Sequence, residues 1–335
     1  MNEYKISIII PTFNSSKTIG RLIHSILSQD FTDFEIIFID DASEDDTIYC
    51  IHDNLDGFKD YKIIVNKTNK GPAYSRNRGI MEARGKNIVF VDSDDMINYN
   101  HLSSLYKHMK KDEFDAVFTK GIKLDDEDKL FDFKVEKFDP LLLLAKESKG
   151  VLKAEELIML ELTMQIPFYF VLLIYDRDII IENGLKFNEA YRYAEDTDFA
   201  LRYLANCNYI RVIDKYTYFY YQEKESISKS VSLSRFESVE LFESLYLYFK
   251  TKNSALADLV LFNRIPKFIF GNMNYFFANG YDKDEVFNKM SELGLFEKLK
   301  RFNPVIKSDR KFKIKIKMFL TNPSLYYKLW MNFKK

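Results

Sequence analysis

Residues 6–14 read ISIIIPTFN: five residues, Ile6 to Ile10, that are β-branched apart from Ser7, then Pro11, Thr12, Phe13 and Asn14. A run with so little polar alternation suits a parallel strand covered on both faces. The proline is expected to end it. Beyond it, Ile19, Leu22, Ile23, Ile26 and Leu27 recur at helical spacing behind Ser15-Ser16, which offers a cap. Phe34 to Ile39, Lys62 to Val65 and Asn87 to Val91 read as further strands, and Gly71-Pro72 opens a helix to Arg84 with proline in its first turn. Strand, helix, strand, strand, helix, strand reads as an α/β unit with a largely parallel sheet. In such sheets ligands bind beyond the carboxyl ends of the strands, so Pro11 to Asn14, Asp40-Asp41 and Asp92 to Asp95 are expected to converge.

From about Arg235 the pattern turns helical, with Leu241, Leu245 and Phe249, then residues 256–277 and 286–299. The expected organisation is an α/β domain over residues 1–234 and a helical region over 235–335, in keeping with two domains for 335 residues. The acidic run Asp125 to Asp128 reads as a solvated turn.

An apolar content of 47% with 16% aromatics supplies a packed core. Cys50 and Cys207 stand alone, which excludes a disulfide framework or zinc knuckle and fits a reducing cytoplasm. The N-terminus lacks the marks of a signal peptide. Leu162 to Tyr175 holds 14 uncharged residues, short of the roughly 20 a spanning helix needs, so it is expected to be buried and any membrane contact peripheral.

All four histidines lie in the first third, outside any Ser/His/Asp or HExxH setting, and His24 falls on the first amphipathic helix. Neither GxGxxG nor GxxxxGK[ST] is present. A proton acceptor is therefore expected to be a carboxylate. Asp92 and Asp94 flank Ser93, and alternation along an extended chain can turn both carboxylates to one side. Two hard oxygen ligands suit Mg²⁺ or Mn²⁺, although an acidic turn hydrating a strand end would read the same way.

In company these segments say more. ISIIIPTFN at 6–14, FEIIFIDDASEDDT at 34–47, GPAYSRNRGI at 71–80, VDSDD at 91–95 and the Glu195-Asp196 pair in YAEDTDF together resemble the inverting family 2 glycosyltransferases, over about residues 4–230. The resemblance implies a GT-A fold and a UDP-sugar donor. It implies that Pro11, Thr12, Phe13 and Asn14 line the nucleobase and ribose pocket, with Phe13 stacking on the base unless it packs in the core. Asp41 would accept a hydrogen bond from the base, with Asp40 capping its strand. Asp92, with Ser93, would hold the ribose side and Asp94 would ligate the metal bridging the diphosphate. Gly71 and Arg76 would also lie on the donor side, a solvated arginine being the alternative for Arg76 and Arg78. Glu195 is placed on the acceptor side and Asp196 as the general base, an acidic helix start being the plainer account of the pair.

Two departures concern the acceptor. Val171 to Ile174 stands where many members carry Trp and Lys, and Tyr221 stands where a basic residue is common, with Lys224 or Lys229 as possible substitutes.

The chain's formal charge is −1, yet residues 298–335 carry twelve basic residues against Asp309 alone, a formal +11 that leaves −12 for the rest. RKFKIKIK at 310–317 would show a basic and an apolar face as a strand; as a helix, Phe312, Ile316, Phe319 and Leu320 would share one side. With Tyr326, Tyr327 and Trp330 nearby, this region is expected to rest on an anionic membrane surface or meet a lipid-linked acceptor, or to be a basic helix packed on the acidic body. No nucleic-acid module is present.

The expected activity is inverting transfer of a hexose, galactose or glucose in type, from a UDP-sugar to a saccharide hydroxyl in surface polysaccharide or glycoprotein glycan synthesis, in the cytoplasm or peripherally at the membrane. A catalytically silent nucleotide-sugar-binding or membrane-adaptor subunit is the alternative, and a sugar-phosphate nucleotidyltransferase a further one, which should show a Gly-rich basic loop where PTFN stands.

Overall fold

A computed structural model describes residues 3–109, 114–124, 148–166, 168–221 and 232–333. The acidic run 125–128, Ser226 to Ser228, Lys224, Lys229 and the last two lysines lie outside them. The chain divides into two compact units: Met1–Leu157 with Ile166–Ser228, and Ile158–Gln165 with Lys229–Lys335.

The first unit is built on β1 (Tyr4–Thr12), α1 (Ile19–Leu27), β2 (Phe34–Asp40), α2 (Thr47–Asn54), β3 (Tyr61–Val65), α3 (Pro72–Glu82) and β4 (Gly85–Phe90). These strands pair in parallel, β3-β2-β1-β4. Every residue of β2 is buried, as its unbroken apolar run requires. Pro11 does not end β1. It pairs opposite Ile39, and Thr12 opposite Asp40. On the other side the last rung is Val91 N–H to Ile9 C=O, so the N–H that proline lacks faces an edge where β4 has already left. Gly85 is required by space: a Cβ there would lie 2.6 Å from the Ser7 nitrogen.

The sheet then becomes mixed. β5 (Met96–Ile97), α4 (His101–Met109), β6 (Ala116–Leu124), β7 (Val151–Lys153), β8 (Leu173–Asp176) and β9 (Tyr209–Tyr221) extend it in the order β4-β8-β6-β9-β5, with β7 on β9. β8 is antiparallel to both neighbours, whereas β6 and β9 are parallel. These strands escape the sequence pattern because they are short or, like β9, half-exposed. The apolar run at 162–175 breaks into a helix end, a turn of 3₁₀ helix at Phe170–Leu172 and the buried β8. Leu27, assigned to the buried face of α1, is 40% exposed, one position past the face that Ile23 and Ile26 bury.

The helices α5 (Ala154–Leu162), α6 (Arg177–Glu182) and α7 (Glu195–Leu204) complete this region. Under the sheet end, Phe90 meets Phe170, Tyr175, Phe187 and Phe199 at 5.4–5.9 Å between ring centroids. Such contacts add to area burial and fix the start of α7 against β4.

The second unit is helical: α8 (Ser238–Lys252), α9 (Ser254–Leu259), a π-helical turn (Val260–Arg264), α10 (Ile265–Ala278), α11 (Lys283–Glu292), α12 (Leu295–Lys300), α13 (Asp309–Thr321) and α14 (Pro323–Phe333). Leu241, Leu245 and Phe249 are buried, as their spacing implies. RKFKIKIK adopts the helical alternative, with Ile316 and Phe319 buried and Phe312 and Leu320 half-buried. Segment 158–165 is tied into this unit by Arg264 Nη2 to Glu161 Oε1 and by Lys267 Nζ to the Thr163 carbonyl, both 2.8 Å. Among the described residues no helix is long and apolar enough to cross a membrane.

Candidate active site

The ends of β1, β2 and β4 meet. The Asp41 N–H donates to the Thr12 carbonyl at 2.8 Å, and the Ser15 and Ser93 hydroxyls lie 2.8 Å apart, joining the loop after β1 to the loop after β4. Pro11 is half-buried and Thr12 buried, with the Thr12 hydroxyl 3.2 Å from Asp40. Phe13 is 42% exposed, so its ring stands outside the core and offers a face for stacking. Asn14 takes a left-handed φ of 49° and accepts from Glu44 N–H through Oδ1 at 2.9 Å. This is a conformation that Asn tolerates better than most residues.

Asp40 caps its strand: Ser43 donates to it from both backbone and hydroxyl, at 3.0 and 2.6 Å. Asp41 is buried and fastens the loop before α3. Its carboxylate accepts from Asn66 Nδ2 at 2.7 Å, Lys70 N–H at 2.9 and 3.0 Å, and Gly71 N–H at 2.6 Å. Asn66 and Lys70 meet at Oδ1 and Lys70 and Gly71 at Oδ2, so the acceptor directions of this carboxylate are taken up by the loop.

The GPAYSRNRG segment is explained position by position. Gly71 has φ 88° and ψ 166°, a backbone region essentially reserved for glycine, while no atom lies within 4 Å of where its Cβ would be. The backbone angle therefore selects it, not space. Pro72 starts α3, and the Ser75 hydroxyl accepts from Asn66 at 3.2 Å. Arg76 is buried, contrary to the solvated alternative. Its guanidinium reaches Asp92 Oδ1 at 2.9 Å and Glu195 Oε1 at 3.4 Å, and lies over Phe170 at 4.5 Å. Burial opposes its charge, but Asp92 and Glu195 outweigh burial and hold the proton more tightly than in water. Asn77 clasps Phe187 by accepting its N–H at 2.8 Å and donating to its carbonyl at 2.9 Å. Arg78 donates to Asn66 Oδ1 and to the Val65 carbonyl, supporting the loop that Asp41 holds. A Cβ on Gly79 would collide with Ile9 at 2.3 Å.

Beyond β4, Asp92 is partly exposed and bound to Arg76, while the Asp94 carbonyl accepts from Arg21 Nη2 at 2.6 Å. Asp95, which the sequence reading gave no role, is fully buried and accepts from Tyr218 Oη at 2.5 Å and Tyr221 N–H at 3.0 Å. Burial first, then the charges of Asp94 and Asp92, drive its carboxyl well above the usual range. Three carboxylates thus crowd one strand end. A divalent cation would relieve that crowding, and the oxygen donors suit Mg²⁺ or Mn²⁺. Asp95 is already engaged by its tyrosines, and among the described residues no three His, Cys, Asp or Glu side chains form a complete cage. An ion at this strand end would need oxygens from diphosphate and water to complete its shell.

Glu195 and Asp196 open α7 behind Ala194, which has φ 66°. Glu195 is 6% exposed and turned onto Arg76. Its carboxyl is pushed up to about 7 by burial and by Asp196, with Arg76 acting the other way. Asp196 is half-buried and accepts the Thr197 N–H at 2.6 Å; its charge is also felt by Arg76. Arg76 thereby draws Asp92, Glu195 and Asp196 into one cluster.

Val171 to Ile174 are buried and belong to β8 and the turn before it. Where Tyr221 replaces the expected cation, Arg21 stacks on its ring at 3.6 Å, so a positive charge reaches that position from α1. Sequence reading missed Arg21 because nothing in α1 marks it apart from a surface residue. Lys224 and Lys229 lie outside the described residues.

Residues 7–153 match the family model described as Glycosyl transferase family 2. The chain is 28% identical over 256 residues to the poly(ribitol-phosphate) beta-N-acetylglucosaminyltransferase TarP of Staphylococcus aureus (strain N315), covering 72% of each protein. It is 35% identical over 117 residues to the cholesterol galactosyltransferase of Borreliella burgdorferi, covering 35% of this chain and 32% of that one. The structure of S. aureus TarS 1-349 in complex with UDP-GlcNAc superposes with a TM-score of 0.69 at 23% identity, over 88% of this chain and 81% of that chain. The chain spans 36% of the length of full TarS. The fold is GT-A and the chain is a glycosyltransferase; its residues 7–153 are similar to the Glycosyl transferase family 2 model.

Proposed function

We propose that this glycosyltransferase moves a hexose, of galactose or glucose type and including the N-acetyl forms, from UDP to a saccharide hydroxyl with inversion, in surface polysaccharide or glycoprotein glycan synthesis. The observation that carries the reading is the Arg76 junction, which joins Asp92 at the end of β4 to the Glu195-Asp196 start of α7. A donor group and a base must lie on either side of one anomeric carbon for in-line displacement, and a shared buried cation is a means of fixing their separation.

In this mechanism Phe13 stacks on the uracil, Asp92 orients the ribose, and Asp41 fixes the loop before α3. Asp196 removes the proton from the acceptor hydroxyl as that oxygen attacks. Asp94 would hold a divalent ion, which would supply electrostatic stabilisation for the charge on the departing diphosphate. Arg21 secures the Asp94 backbone from the side. Relatives named for N-acetylglucosamine and galactose transfer support a UDP-hexose donor.

The test is UDP release from UDP-glucose, UDP-galactose and their N-acetyl forms with Mn²⁺, for the wild type and Asp196→Asn. Loss of general-base catalysis lowers turnover by about 10²–10⁴ while UDP binding persists. Full activity in Asp196→Asn would overturn the assignment of the base.

A further inference from the structure

α13 has two unlike faces. Its inner side packs Phe319 against Phe270, Phe287 and Phe296 at 5.7–5.9 Å. Its outer side presents Ile314 and Met318, 60% and 47% exposed, between Arg310, Lys311, Lys315 and Lys317. We propose that this outer face docks on an anionic lipid bilayer.

Two observations select that partner. First, the charge is unspent: among the described residues none of these four cations pairs with an acid, whereas the nearby Lys298 and Lys300 are bound to Glu243 and Glu297. The only acid of α13, Asp309, is buried and paired with Lys267 at 2.8 Å. Among the described residues, then, the acids of this unit do not neutralise the outer face of α13. Second, the centre of the face is apolar. A soluble polyanion would meet the cations and leave Ile314 and Met318 in water, whereas an interfacial helix sinks its apolar centre to the acyl boundary and keeps lysines among the headgroups. α14 adds the exposed Leu325 and Lys328. The anchoring is expected to be weak and reversible, since the apolar insertion is small and the cations act only within a Debye length.

The experiment is flotation of the full chain with vesicles of phosphatidylcholine alone and of equal parts phosphatidylcholine and phosphatidylglycerol. Three proteins are compared: wild type, Lys311→Gln/Lys315→Gln/Lys317→Gln, and Ile314→Ser/Met318→Ser, each first shown to keep the wild-type circular dichroism. Wild type should float with the anionic vesicles and be released by salt. At about fivefold per cation the triple variant should bind roughly a hundredfold more weakly. The serine pair should also bind anionic vesicles more weakly while its binding to soluble polyphosphate is unchanged. Equal flotation with neutral vesicles, an unaffected triple variant, or a serine pair that binds like wild type would each overturn the proposal; the last would make the face a polyanion site.

Discussion

Glu195→Gln isolates the electrostatics of the junction. In the folded chain the Glu195 carboxyl titrates at about 7, raised first by burial and then by Asp196 against the pull of Arg76, while an unperturbed glutamate titrates near 4.5. Between those values the folded state keeps a proton that the unfolded chain has lost, so stability falls as pH rises. The contribution is full below about 4.5 and gone above about 7. At 1.36 kcal/mol per unit, its size is about 3 kcal/mol. Glutamine keeps an oxygen for Arg76 and cannot ionise. Urea unfolding of both proteins at pH 5 and pH 8 should therefore show the difference between them moving by about 3 kcal/mol in favour of Glu195→Gln at the higher pH. Titrating groups outside the Arg76 cluster cancel in the double difference. His101 matters most here: burial holds it neutral down to about 3, so it acts in the opposite sense, its stability being lost as pH falls below 6.5. Parallel pH profiles for the two proteins, within about 0.5 kcal/mol, would refute the reasoning.

Gly71→Ala should lower stability by roughly 1–3 kcal/mol in chemical denaturation, through the backbone angle alone, since its Cβ would meet nothing. Phe13→Ala should leave stability within about 0.5 kcal/mol, because the ring is largely outside the core, yet weaken UDP binding by calorimetry roughly ten- to a hundredfold through the lost stack.

The first four strands and the glycine-proline start of α3 were legible because apolar runs and turn residues act locally. The mixed half of the sheet was not. β8 is four residues long and inserts between β4 and β6, a pairing that no local periodicity encodes. Motif residues were likewise visible as types, but their partners were not. Arg76 and Glu195 are 119 residues apart, and Tyr218 reaches Asp95 across 123. Sequence reading therefore did not foresee the Glu195–Arg76 pair, and gave Asp95 and Arg21 no role, since their contacts depend on which strands become neighbours. Asp41 shows the intermediate case: its place at a strand end was readable, while its three donors come from a loop whose course only the folded chain defines.

The segment Ile158–Gln165 belongs to the helical unit although it lies between two stretches of the α/β unit. During synthesis it leaves the ribosome long before α10, which supplies Arg264's neighbour Lys267 and the cover for this strip. Until the last hundred or so residues emerge, Leu160 and Leu162 have no partner surface from their own unit, and a nascent chain halted near residue 234 displays them to chaperones. This strip therefore completes its packing late, after the helices that follow it in the gene have been made. Fragments for biophysical work should retain those helices, because a truncation drawn at the apparent end of the α/β pattern would leave the apolar strip 158–165 without the partners it packs on.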